Sequence, residues 1–308
     1  MNKHIYIPVW ILLLSCCALT ATAQEPIHAP PAPERLSVPS SSTGTHHTQD
    51  VGSRASSVSQ EPAPQVPTNT DEATLILTNP ANQWANILAQ YGHMGTDGIR
   101  RFDYEKLKAS QADMDSLAIF IMNQASKKPS RMPRDQAMAY WANLYNALTI
   151  EVVVRNYPVD SIRQIKSGFR KGPWKRKLIT VEGQALTLDD IEHGIMRPQF
   201  NTPLVHYMLN CASISCPNLS AHPWRAATLE ADLDTAAHAY INSPRGVSIE
   251  DGRMTASRIY KWFKKDFENS NTSVLAHLSS YADADLRKQL EGRTKIDRYA
   301  YDWTLNAP

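Results

Sequence analysis

Ala137-Met138-Ala139-Tyr140-Trp141-Ala142-Asn143-Leu144-Tyr145-Asn146-Ala147-Leu148 lies within residues 134–156, the strongest helix signal in the sequence. Ala137, Tyr140, Trp141, Leu144, Tyr145, Leu148, Val152 and Val153 recur at helical spacings and predict a helix with broad apolar faces. Pro158 closes it. Asn143 and Asn146 interrupt the pattern three residues apart, so both amides lie on nearly one side. Asparagine competes with the helix backbone for hydrogen bonds, and amides buried among aromatics need partners. Two roles follow. The amides tie a loop to the helix, or with Trp141 and Tyr145 they form a pocket wall that orients a substrate.

Outward from this helix the chain alternates helical patterns with short hairpins. On the N-terminal side, Trp84, Ile87, Leu88 and Tyr91 follow the Asn79-Pro80 turn at helical spacing. Residues 99–104 suggest a short strand, and a helix runs from Asp103 to about Ala125. On the C-terminal side, residues 177–186 read as a hairpin about Glu182-Gly183. Thr187 then caps a helix with Asp189 and Asp190 in its first turn, where the helix dipole favours carboxylates. That helix carries Glu192 and His193 beside Leu188, Ile191, Ile195 and Met196. A helix over 229–241, a hairpin over 246–255 with an Asp251-Gly252 turn, a helix capped by Ser257, two short helices from Ser273 and Asp283, and a strand over 294–303 complete the chain. The fold class expected is α+β: a helix-rich single domain over 75–308 with a small, mainly antiparallel sheet.

The sequence has 308 residues, 42% of them hydrophobic, which is globular composition and enough for one sizeable core. A net charge of +2 gives no footing for nucleic-acid binding. Arg170, Lys171, Lys175, Arg176 and Lys177 cluster around Pro173-Trp174 and read as a solvated loop. Lys3 and His4, an apolar run over 5–19 and Ala21-Thr22-Ala23 form an export signal over 1–23, too short for a membrane span. A lipoprotein signal that lipidates Cys16 is the alternative. Residues 24–74, rich in Pro, Ser and Thr, read as a disordered linker. The mature chain is therefore expected in a periplasm or beyond, with no membrane span. No internal repeat, phosphate-binding glycine loop or zinc-protease motif occurs.

Cys16 and Cys17 belong to the signal, which leaves two cysteines in the mature chain. Both lie in Leu204-Val205-His206-Tyr207-Met208-Leu209-Asn210-Cys211-Ala212-Ser213-Ile214-Ser215-Cys216-Pro217, where an apolar run ends in a dense polar segment. Such a segment suits one wall of a site at the end of a buried element.

With this segment, Trp141-x-Asn143-Leu144-Tyr145-Asn146-Ala147-Leu148, Leu188-x-x-Ile191-Glu192-His193-x-Ile195, Ser257-x-Ile259-Tyr260-Lys261-Trp262-Phe263 and Tyr301-Asp302-Trp303 resemble the family called domain of unknown function 547. The order and spacing agree over about residues 80–305. The resemblance implies no activity, because the family has none established. A distant papain-like or transglutaminase-like relation is a hypothesis about fold alone.

Three chemistries fit the residues. In the first, Cys211 and Cys216 form a disulfide in an exported binding or structural module, as an oxidising compartment favours. Its partner would be a small molecule, a peptide or an envelope component. In the second, a cysteine-dependent hydrolase or acyltransferase acts on peptide or cell-wall amides. His206 or His193 would serve as base, Glu192 or another carboxylate would orient it, and Asn143, Asn146 or Asn210 would orient the imidazole or hold an oxyanion. Spacing alone does not make His206 and Cys211 a dyad, whether 204–210 is extended or helical. In the third, Cys211, Cys216, His206 and His222 bind a metal, although C-x4-C lacks a second ligand pair. No cofactor is expected.

Overall fold

The computed structural model describes residues 80–169 and 171–308. The expected signal, the expected linker and Arg170 lie outside them. Helix α1 (Pro80–Tyr91) leads into the strands β1 (Gly92–Met94) and β2 (Arg100–Phe102), then α2 (Tyr104–Ala109), α3 (Gln111–Ala125) and α4 (Arg134–Asn156). Trp84, Ile87, Leu88 and Tyr91 are all buried, as their helical spacing demands. The pattern expected as one helix from Asp103 to Ala125 is two helices. The Asp103 carboxylate accepts the Lys106 N–H and starts α2. Ser110 then ends α2, and its hydroxyl accepts the Asp113 N–H to start α3.

α4 is buried around nearly its whole circumference, from Ala137 to Val154. α2, α3 and the segment that carries Glu192 pack around it. This explains why aliphatic and aromatic residues occupy more than one stripe of the helix.

β3 (Ile179–Val181) and β4 (Gln184–Leu186) pair as the expected hairpin. The Thr187 hydroxyl accepts the Asp190 N–H, and the Asp190 carboxylate accepts the Thr187 N–H in return. The helix so capped is wound as a π-helix over Asp190–Met196. It continues into α5 (Arg197–Phe200) and, after a turn, α6 (Val205–Met208). π-Helical turns are rare, and they concentrate at functional sites.

α7 (Leu229–Ile241), β5 (Val247–Glu250), β6 (Arg253–Ser257), α8 (Ile259–Trp262), α9 (Asn271–Tyr281), α10 (Ala284–Leu290) and β7 (Arg298–Ala300) complete the order. β5 pairs antiparallel with β6, and β7 pairs parallel with β6. The fold is α+β. Its hairpins stay apart as two two-stranded sheets and one of three strands, because strands of three to five residues are each anchored on separate helices. No likeness to papain-like or transglutaminase-like folds is shown. Among the described residues no helix is long and apolar enough to cross a membrane.

Gly246 enters β5 where the chain turns back against α7. A Cβ there would lie 2.1 Å from the Tyr240 carbonyl oxygen. Backbone cannot yield as a side-chain tip does, so Gly246→Ala is expected to cost about 1–3 kcal/mol. A urea midpoint equal to that of the parent protein would contradict this.

After β7 the chain does not form the long strand expected over 294–303. Instead it runs beside the cysteine segment. Ser215 and Ile214 donate to the carbonyls of Asp302 and Thr304, Asn306 donates to that of Ala212, and Ser213 bridges Leu305. Two apolar clusters make up the core, one around α4 and one around α7, β6 and α9. Leu204 packs against both, just ahead of the cysteine segment.

Candidate functional site

A cavity of about 250 Å³ opens where these clusters meet. Tyr145 of α4, Asp189, Glu192 and His193 of the π-helical region, His206 of α6, Cys211 and Cys216 line it. Trp174, Leu209, Pro217, Ile259, Trp262, Phe263, Tyr301 and Trp303 form the rest of its wall.

The cysteine loop is held from several sides. The Asn210 side chain accepts the Ala212 N–H at 2.8 Å and donates to the Pro217 carbonyl at 2.8 Å. Ala212 is thereby fixed at φ 59°, a left-handed conformation that strains a residue with a Cβ by about 1 kcal/mol. Arg245 donates to the carbonyls of Ile214 and Cys216, and Tyr240 donates to that of Ser215. The loop therefore presents its sulfurs from a preorganised backbone.

Both thiols are free, with their sulfurs 2.7 Å apart. The Cys211 N–H donates to the Cys216 sulfur at 2.9 Å. The Tyr301 hydroxyl lies 3.2 Å from each sulfur, and the Ser213 hydroxyl lies 3.3 Å from that of Cys211. A backbone N–H can only donate, so the loop favours negative charge on Cys216 rather than on Cys211. Burial pushes the Cys216 thiol up, but the hydrogen bonds from Cys211, from Tyr301 and from the Cys211 N–H outweigh it and bring it to about 7. The hydrogen bond to Cys216 and burial raise the Cys211 thiol well above its ordinary value. Burial likewise keeps the Tyr301 phenol protonated as a donor.

His206 is 4% exposed and stacks on Phe263 with ring centroids 4.3 Å apart. Its Nε2 lies 2.7 Å from Asp266 Oδ2. Arg197 holds the same carboxylate with two hydrogen bonds, of 2.6 and 2.9 Å. Burial opposes the Asp266 charge, yet the bonds from His206 and Arg197 keep the carboxyl well below the usual range. An ionised carboxylate only accepts, so the Nε2 proton points to Asp266 and Nδ1 is left as the basic nitrogen. Among the described residues no thiol is hydrogen-bonded to an imidazole.

His193 is more exposed and less constrained. Its ring lies 3.7 Å from Glu192, 3.9 Å from Asp189 and 3.4 Å from Arg197. Glu192 accepts the Tyr145 hydroxyl at 3.1 Å.

The structure thus brings Cys211, Cys216, His206, His193, Glu192 and Tyr145 to one cavity. It places Asn143, Asn146, Asn210 and Trp141 outside the lining. Asn143 accepts from the indole of Trp84 and the N–H of Trp224, and it donates to the Trp224 carbonyl. Asn146 donates to the Met208 carbonyl and accepts the Asn210 N–H. Trp141 is 5% exposed and packs edge-on against Tyr140. These bonds tie loops to α4, and Asn143 also lines a separate groove with Trp84, Tyr140 and Trp224. His222 is exposed, hydrogen-bonds within its own loop and lines a separate groove with Trp224, so it does not join the cysteines. Among the described residues no group of three or more His, Cys, Asp and Glu side chains is placed to hold a metal ion. In the basic cluster, Lys175 and Lys177 pair with Asp189 and Asp190.

Sequence reasoning missed Asp266, Trp174, Trp262, Phe263, Tyr301 and Trp303. Four of these lie in the stretches 257–263 and 301–303, which carry part of the family resemblance, and Asp266 follows three residues after the first of them. That was the one signal available.

No curated protein and no solved structure matches the chain. Residues 129–241, which include both cysteines, both cavity histidines and Glu192 but not Asp266 or the C-terminal aromatics, match the family model described as "Protein of unknown function, DUF547", and it is this family that the chain resembles.

Proposed function

We propose that the cavity is a thiol site of an exported protein and that it cleaves or transfers an acyl group from an amide or ester of peptide or envelope origin. The observation that carries this is the meeting, in one aromatic-walled cavity, of a thiol stabilised as its anion and an imidazole fixed by a carboxylate. His206 takes the Cys216 proton on Nδ1 by way of a water in the cavity, since the two are not in direct hydrogen-bond contact. The thiolate attacks the carbonyl carbon, a C–S bond forms, and the C–N or C–O bond breaks as the imidazolium returns the proton to the leaving group. Water, or an acceptor amine or alcohol, then releases the acyl group from sulfur. Tyr301 and the Cys211 N–H stabilise the thiolate before attack and after release. The export signal expected over 1–23 supports the compartment, and lipidation at Cys16 is the alternative form of the same reading.

The close approach of the two sulfurs favours a second reading. Oxidised to a disulfide, the pair would leave an exported binding or structural module with no nucleophile. Alkylation separates the two. Protein prepared without reductant, then denatured, is expected to titrate two thiols. Native protein is expected to react with iodoacetamide at Cys216 first, at a rate that rises with pH through a midpoint at about 7 and is level before about pH 9, where the thiolate fraction saturates. No titratable thiol would favour the disulfide module. A rate still climbing through pH 9 would remove the activated thiolate.

A further inference from the structure

We infer that the cavity selects substrates whose acyl portion carries a protonated amine, with Glu192 as its anionic anchor and Trp174 and Trp262 as its aromatic walls. This deepens the thiol-site reading and rests on it for the identity of the reacting bond.

Glu192 is the observation that leads there. Its side chain is 13% exposed, and it lines the cavity. Among the described residues one hydrogen bond reaches its carboxylate, from the Tyr145 hydroxyl at 3.1 Å, and that donor is neutral. His193 Nδ1 stands 3.7 Å away, beyond hydrogen-bond length. Among the described residues no Lys or Arg lies within 4.0 Å of it. The cations nearby are committed elsewhere. Arg197 binds Asp266 through Nε and Nη2 and turns Nη1 to His193 Nδ1 at 3.4 Å, so its charge acts on Glu192 only at longer range. Lys175 lies 3.6 Å from Asp189. Arg163 lies over Trp303, 5.2 Å from its ring centre. A carboxylate so withdrawn from water, with one neutral donor, is short of positive charge.

The rest of the wall has the same bias. None of the fifteen residues that line the cavity is Lys or Arg, and of its two carboxylates Asp189 has Lys175 beside it whereas Glu192 has neither Lys nor Arg within 4.0 Å among the described residues. This holds although the whole chain is net positive, at +2. Aromatic rings supply most of the remaining surface. Trp262 stands 4.9 Å from Tyr301 and 5.7 Å from Trp303 between ring centres, and Trp174 stands 5.7 Å from Trp303. Ring faces attract ammonium groups, more strongly when water is excluded. An anionic acyl group would meet the opposite field and would also oppose formation of the Cys216 thiolate.

Size narrows the class further. About 250 Å³ is below the roughly 300–1,000 Å³ of sites that enclose drug-sized ligands. One amino-acyl unit fits that space, and an extended peptide would have to leave it. The substrate class is therefore an amide, ester or thioester of a single amino acid, or a chain end that presents one, with its amine free.

The test uses matched pairs that differ only in the amine. Binding is read from indole fluorescence with phenylalaninamide against 3-phenylpropionamide, on the parent protein and on Glu192→Gln. Glutamine can still accept from Tyr145, so the variant removes charge and keeps the hydrogen bond. The amine is expected to bind about tenfold more tightly than its neutral partner, and the variant should reduce that preference to within about twofold. Turnover is read with the corresponding phenylalanyl and 3-phenylpropionyl thioesters. Equal binding of the pair by the parent protein would overturn the inference. So would a preference that survives in Glu192→Gln, or binding of N-acetylglucosamine with none of the amine. Selective binding of the amine with no thioester cleaved would leave the inference standing and remove the acyl-transfer reading. Equal cleavage of both thioesters would do the reverse.

Discussion

Cys216→Ser is expected to lower turnover of a phenylalanyl thioester by about 1,000-fold or more, the scale on which an acyl-transfer site suffers when its nucleophile is lost. The serine hydroxyl would still accept the Cys211 N–H now directed at the sulfur, so the loop should keep its shape. It would not ionise near neutral pH, and that is the property the loop confers on Cys216. Cys211→Ser should behave differently. A serine there leaves the backbone N–H unchanged and keeps a donor at the position of the Cys211 thiol, so a loss of under about tenfold is expected. Mass mapping of iodoacetamide adducts gives a readout that needs no substrate. Alkylation of Cys211→Ser should still occur at Cys216 and should still level off with rising pH. If Cys211→Ser is the inactive protein and Cys216→Ser keeps its rate, the nucleophile has been assigned to the wrong sulfur. If both variants keep their rates, the cavity does not use a thiol.

Asn146→Ala is expected to destabilise the protein by about 2–6 kcal/mol, because it strands two buried backbone groups at about 1–3 kcal/mol each. The Met208 carbonyl would lose its amide donor, and the Asn210 N–H would lose its acceptor. Asn146 is 2% exposed, so water cannot readily replace either bond. The effect should also reach the site, since Asn210 sets the turn that presents Cys211. Urea unfolding measures the first consequence, and the pH at which Cys216 alkylation levels off measures the second. Asn143→Ala provides the contrast. Its partners are at Trp84 and Trp224, away from the cysteine loop, so it should lose stability without moving that pH. A shift in Asn143→Ala equal to that in Asn146→Ala would mean that the amides do not act separately on the two loops.

Elements set by local chemistry were legible in the residues. The apolar spacing of 134–156, the Thr187–Asp190 cap, the turn pairs Glu182-Gly183 and Asp251-Gly252 and the Ser257 cap each lie where their short-range physics puts them. The break at Ser110 was missed because a serine within a periodic run looks alike as a helical residue or as a cap. The π-helical winding around Glu192 was not foreseen either, since it depends on what the turn packs against. The long terminal strand became a strap on the cysteine loop, because its backbone partners are residues 212–215 and not another strand.

The same division runs through the site. By itself the sequence determined that two cysteines, His206, His193 and Glu192 were the residues to watch, because thiols, imidazoles and carboxylates are recognisable one at a time. It left open whether His206 and Cys211 share a face, since that depends on a backbone that turns from helical at Met208 to left-handed at Ala212. Only the tertiary structure brought Asp266 to His206 across 60 residues and Tyr301 to both sulfurs across at least 85. Such pairings arise from the packing of elements distant in sequence, which no local pattern encodes. The Asp266 contact determines which ring nitrogen of His206 faces a carboxylate, and Tyr301 serves both sulfurs alike, so the choice between the sulfurs rests on the Cys211 N–H within the loop itself.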